Sequence, residues 1–116
     1  MCGFAGAFSK NAITDHLKSK IYAMNSLISH RGPDNFSFWS DENYGITLLH
    51  NRLSIVDLSQ NSNQPKINSD GRYVLSFNGE IYNFRELANE LEFIDKNSNN
   101  KINSDTELIL LAFTKF

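Results

Sequence analysis

The chain has 116 residues, 41% of them hydrophobic, 12% aromatic and 21% charged, which is the composition of a folded chain with a core of its own. A net charge of −2 and a pI near 5.8 argue against a partner held by neutralised phosphates, nucleic acid above all. A single cysteine, Cys2, excludes an internal disulfide and with it the stapled secreted class.

No signal-peptide pattern opens the chain, and no apolar run approaches a membrane span, so the expected compartment is the cytoplasm. Residues 2–8, Cys-Gly-Phe-Ala-Gly-Ala-Phe, predict a strand with Phe4 and Phe8 on one face and small residues between. Residues 14–29 predict an amphipathic helix capped by Thr14 or Asp15, with Leu17, Ile21, Met24, Leu27 and Ile28 inward. Gly32-Pro33 ends it. Phe36–Trp39, Gly45–His50 and Arg72–Phe77 follow as strand candidates, with a polar loop from Asp57 to Gly71 between the last two.

A second helix is predicted from Asn83, which stands three residues before Glu86 at capping-box spacing; Phe84, Leu87, Ala88 and Leu91 form its inner face. Residues 95–103 are a polar low-complexity loop. Ser104-Asp105-Thr106-Glu107 then opens a third helix. Leu108 to Phe113 is apolar on nearly every side and needs cover all round. The chain ends three residues later with nothing left to cover it, so the expectation is that residues 1–116 are a fragment of a longer protein.

Cys2 directly follows the initiator methionine. On position alone it is equally a small buried residue of an edge strand. If Met1 is removed, Cys2 carries a free α-amine beside its thiol. With an amine pKa near 8 and a thiol near 8.5, nucleophile and base share one residue, the arrangement of N-terminal-nucleophile (Ntn) catalysis. If Met1 is retained, that base is missing. His16, His30 and His50 show no metal-ligand spacing with Cys2, and no metal site is expected. No glycine loop suited to a phosphate is present, and Trp39 reads as core or interface.

Six blocks stand in order along the chain: Met1-Cys2-Gly3-Phe4-Ala5-Gly6, His30-Arg31-Gly32-Pro33-Asp34, His50-Asn51-Arg52-Leu53-Ser54-Ile55-Val56-Asp57, Gln64-Pro65, Phe77-Asn78-Gly79-Glu80-Ile81-Tyr82-Asn83 and Ser104-Asp105-Thr106-Glu107. In these the sequence resembles the N-terminal glutaminase domain of the glutamine-hydrolysing asparagine synthetases, the class II glutamine amidotransferases.

The resemblance implies an α+β fold, the Ntn-hydrolase-type four-layer αββα sandwich with antiparallel sheets, of which this chain carries the N-terminal portion only. It implies hydrolysis of L-glutamine to glutamate and ammonia through a Cys2 thioester. Asn78 and Gly79 match the oxyanion hole, one side-chain amide and one backbone N–H. Alone, Asn-Gly is also a plain turn signal. Arg52 matches the arginine that holds the substrate α-carboxylate, which suits a planar guanidinium fork. Glu80 and Asp105 match the acids for the α-ammonium, although Asp105 also suits the first turn of a helix. Leu53, Ser54, Ile55 and Val56 would line the glutamine pocket, partly through backbone groups. The Arg31 loop either shapes the pocket or is a rigid turn.

The resemblance further implies a C-terminal synthetase domain, absent from these residues, that uses ATP and magnesium; no cofactor is expected in this chain. It leaves room for a homodimer of the full-length protein. Residues 1–116 alone are expected to turn glutamine over weakly or not at all. Two alternatives stay open: an amidotransferase serving another acceptor, such as a sugar, and a catalytically idle docking module.

Overall fold

The computed structural model describes residues 2–11, 13–54, 63–94 and 101–115. Among the described residues it is α+β, with three α-helices, a short 3-10 turn and antiparallel pairing in its main sheet. The described residues fall into two compact units, one within 1–66 and 76–78 and the other within 67–75 and 79–116.

The first unit is built on a three-stranded sheet in the order β1-β3-β2, with β1 Gly3–Phe8, β2 Asn35–Asp41 and β3 Ile46–Arg52. β3 pairs antiparallel with both neighbours, running from Phe8 opposite Ile46 to Gly3 opposite Asn51, and from Asp41 opposite Ile46 to Asn35 opposite Arg52. Because side chains alternate along a strand, this register puts Ala5, Leu49 and Phe38 on one face and Phe4, His50 and Ser37 on the other. The β2–β3 turn is tied by Asp41, whose Oδ1 accepts from the N–H groups of Asn43 and Tyr44 at 2.9 and 3.3 Å. It closes at Gly45, whose φ of 64° lies in the left-handed region and favours glycine.

Helix α1 (Asp15–Ile28) starts as expected, with the Thr14 hydroxyl accepting from Leu17 N–H at 3.3 Å. It covers the first of the two faces. Ile21 and Leu49 are fully buried, Tyr22 stacks on Phe38 with ring centroids 5.6 Å apart, and Asn51 Nδ2 donates to the Asn25 carbonyl at 3.4 Å. The apolar stripe of α1 is wider than the sheet that covers it: Leu27, expected inward, is 74% exposed. Phe4 and Phe8 do share a face, as their spacing predicts, but it is the face opposite α1, and they are 51% and 67% exposed.

The second unit holds helices α2 (Phe84–Ile94) and α3 (Asp105–Lys115). Ala88 and Leu91 from α2 bury against Leu108 of α3 and against Ile102, with Ile81, Phe84, Leu87, Leu111 and Ala112 packed round them. The capping residue is Ser104, which takes the N–H of Glu107 on its hydroxyl at 3.3 Å and the N–H of Leu108 on its carbonyl at 3.0 Å. The Arg72–Phe77 strand is shorter than expected. Only β5 (Val74–Leu75) pairs, with β4 (Lys66–Ile67), and the hydrogen bond from Phe77 N–H goes to a side chain instead of a ladder. Among the described residues, no helix is long and apolar enough to cross a membrane.

Candidate active site

Register alone carries Cys2 to the end of β3. Gly3 is the last β1 residue paired, opposite Asn51, so Cys2 falls beside Arg52 and Leu53. The thiol, half-buried, lies against both backbone groups of Leu53. The Leu53 N–H donates to Sγ at 3.4 Å, and the thiol donates to the Leu53 carbonyl at 3.8 Å. Sulfur is a weak partner in both directions, so these contacts orient Cys2 more than they stabilise it.

Arg52 is only 8% exposed. A buried guanidinium must be hydrogen-bonded, and Nη1 donates to Asn63 Oδ1 at 2.9 Å. Leu53 and Ser54 are half-buried beside it, and Ile55 and Val56 lie outside the described residues.

The loop from His30 to Asp34 is more than a turn. Arg31 Nε donates to the Cys2 carbonyl at 3.2 Å. Asp34 donates its N–H to the Arg52 carbonyl at 3.0 Å and accepts the Ser54 N–H on Oδ2 at 2.7 Å. One short segment thus bonds the chain on both sides of the thiol. It approaches so closely that a Cβ at Gly32 would collide with the Asn51 carbonyl and sit 2.7 Å from the carbonyl carbon of Arg52. Sequence reasoning left the Arg31 loop undecided and assigned nothing to Asp34, although both stand in one of the six blocks.

His50 is 1% exposed, and among the described residues no hydrogen bond of good geometry reaches either ring nitrogen. Burial pushes its pKa below the ordinary 6.5, the Arg52 charge pushes the same way, and the backbone of Phe77 opposes them. It is therefore held as the neutral imidazole. Gln64 Oε1 accepts the Phe77 N–H at 2.6 Å, immediately before Asn78. Asn78 itself is exposed.

The remaining candidates belong to the second unit. Gly79 and Glu80 are exposed. Asp105, first residue of α3, accepts the Ile81 N–H on Oδ2 at 3.0 Å, which ties the helix start to the residue after Glu80. The structure therefore brings together Cys2, Arg52, Leu53 and Ser54 in one unit, and Gly79, Glu80 and Asp105 in the other. Among the described residues no group of His, Cys, Asp and Glu has the arrangement of a metal site.

Residues 1–116 match the family model of the glutamine amidotransferase domain over their whole length. The chain belongs to the glutamine amidotransferase domain family. It is 41% identical over 118 residues to asparagine synthetase (glutamine-hydrolyzing) 1 of Bacillus subtilis, covering 100% of this chain and 18% of that protein. It is 35% identical over 113 residues to asparagine synthetase B (glutamine-hydrolyzing) of Escherichia coli, covering 97% of this chain and 19% of that protein. It is 36% identical over 94 residues to amidase chry2 of Gibberella zeae, covering 78% and 13%. The chain thus spans less than a fifth of the length of each of these relatives. No solved structure matches it.

Proposed function

We propose that this chain is the glutaminase part of a glutamine-dependent asparagine synthetase, with Cys2 as nucleophile. The observation that carries the reading is the placement of the Cys2 thiol on the backbone of Leu53, next to a buried arginine, at one end of β3. The strength of the match to asparagine synthetases across the whole chain supports it.

In this reading the α-amine of Cys2, freed by removal of Met1, takes the thiol proton. Sγ attacks the δ-carbon of L-glutamine, and the Asn78 amide and Gly79 N–H receive the oxyanion. The C–N bond breaks, the α-ammonium returns the proton, and ammonia leaves a γ-glutamyl thioester. Water then gives up a proton to the α-amine and cleaves the C–S bond, releasing glutamate and regenerating the thiol. Arg52 holds the substrate α-carboxylate; Glu80 and Asp105 hold its α-ammonium; Leu53, Ser54, Ile55 and Val56 line the pocket. The fold is the first portion of the four-layer Ntn sandwich, and the compartment is the cytoplasm. Ammonia passes to a synthetase domain beyond these residues, which would use ATP and magnesium.

The test is glutamate release from glutamine by the full-length protein. Cys2→Ala should abolish it, and Arg52→Lys should raise KM by about tenfold or more, because a point charge replaces a bidentate fork. Unchanged turnover in Cys2→Ala would refute the reading. The likeness to a relative named an amidase favours, as a second reading, a related amide chemistry serving another acceptor; ammonia release without asparagine formation in the full-length protein would select it.

A further inference from the structure

Two neighbouring amides have no role in the chemistry above, and their placement points to one. Asn63 Oδ1 accepts from Arg52 Nη1 at 2.9 Å, and Gln64 Oε1 accepts from Phe77 N–H at 2.6 Å. All four residues belong to the first unit. Successive side chains thus reach two different elements, the end of β3 and the segment that leads into Asn78.

We propose that Asn63 and Gln64 are positioning residues of the glutaminase site, Asn63 acting through Arg52 and Gln64 through the Phe77–Asn78 backbone. The proposal rests on the roles given above to Arg52 and Asn78. A buried guanidinium whose Nη1 is held by a fixed amide presents the rest of its fork in one orientation. Phe77 lies beyond the β5 pairing, so its N–H would lack a strand partner; Gln64 supplies one and fixes the Ser76–Phe77 peptide, one residue before Asn78.

The two residues should leave opposite kinetic marks. A carboxylate anchor is felt alike by substrate and transition state, so disturbing it raises KM. An oxyanion donor is felt in the transition state, so disturbing it lowers kcat.

The experiment measures glutamine hydrolysis by Asn63→Ala, Gln64→Ala and Gln64→Glu in the full-length protein, together with hydrogen exchange at the Phe77 amide. Gln64→Ala is expected to lower kcat about tenfold with KM within about threefold, and to speed Phe77 exchange about tenfold, the size of one lost hydrogen bond. Gln64→Glu keeps an acceptor at the same reach and should recover most of both. Asn63→Ala should raise KM about fivefold or more and leave Phe77 exchange unchanged. If Gln64→Ala fails to fold, Gln64→Met fills the same space without the acceptor and gives the same readings. Unchanged kcat and unchanged exchange in the Gln64 variants overturn the proposal, and so do equal effects of both residues on kcat and KM. If the wild-type full-length protein hydrolyses no glutamine, the functional reading falls by itself. Phe77 exchange in Gln64→Ala then decides the tether, faster exchange supporting it and unchanged exchange overturning it.

Discussion

The thiol end of β3 and the Asn78–Glu80 segment carry the two halves of the proposed oxyanion chemistry, and they are held in different ways. Around Cys2, the Leu53 backbone, Arg31, Asp34 and the close approach of Gly32 tie neighbouring strands into one block. Asn78, Gly79 and Glu80 are exposed, and the hydrogen bonds that frame them fall on the residues either side, Phe77 to Gln64 and Ile81 to Asp105. The difference teaches where substitutions should register. In the block, changes outside Cys2 and Arg52 disturb packing and show as stability; in the exposed segment, they show as rate.

Apart from loss of the nucleophile itself, the largest expected effect is on the exposed side. Asn78→Ala should lower kcat by about a hundred- to a thousandfold, the usual cost of one oxyanion donor, while the melting temperature stays within the range of a surface substitution. A large loss of stability with little loss of rate would reverse the comparison. Next comes Gly32→Ala. Its Cβ has no room against Asn51 and Arg52, and the cost should be about 3 kcal/mol in denaturant unfolding. Stability equal to wild type would mean that the loop is looser than its contacts describe.

Asp105 separates charge from tether. Asp105→Asn can still accept the Ile81 N–H but lacks the charge for an ammonium, so KM should rise about tenfold with unfolding nearly unchanged. Asp105→Ala should add a measurable loss of stability. Were both variants to bind glutamine normally, the acid would be only a cap of α3.

The smallest effect is the pH dependence contributed by His50. Its folded pKa lies below the ordinary 6.5, so the unfolded chain binds the proton more readily. The stability it contributes is complete above 6.5 and is lost as pH falls from there through the depressed folded value. His50→Leu should flatten that part of the acid decline in thermal unfolding, since the carboxylates are common to both chains. An identical decline in both would mean that His50 is solvated.

Local pattern gave the helices well. The Thr14 cap, the Ser104 cap and the α2 face of Phe84, Leu87, Ala88 and Leu91 follow from short-range spacing, which fixes what touches what along one helix. It misjudged Leu27, because a hydrophobic stripe says nothing of how wide a sheet will cover it. It overextended the strand at Arg72–Phe77, because nothing local reveals that Phe77 will bond to Gln64. The meeting of Cys2 and Leu53 is a matter of register across residues 51 apart, which periodicity does not encode. The order of motif blocks pointed to those residues as a set. Within such blocks Arg31 stood with its role open and Gln64 with none assigned, and Asn63 had no signal at all.

The most direct test of the central claim is the intact mass of the full chain before and after treatment with 6-diazo-5-oxo-L-norleucine, an electrophilic glutamine analogue. Loss of Met1, one adduct per chain and no adduct in Cys2→Ala would establish Cys2 as a glutamine-directed N-terminal nucleophile. A retained Met1, or labelling that persists without Cys2, would contradict it.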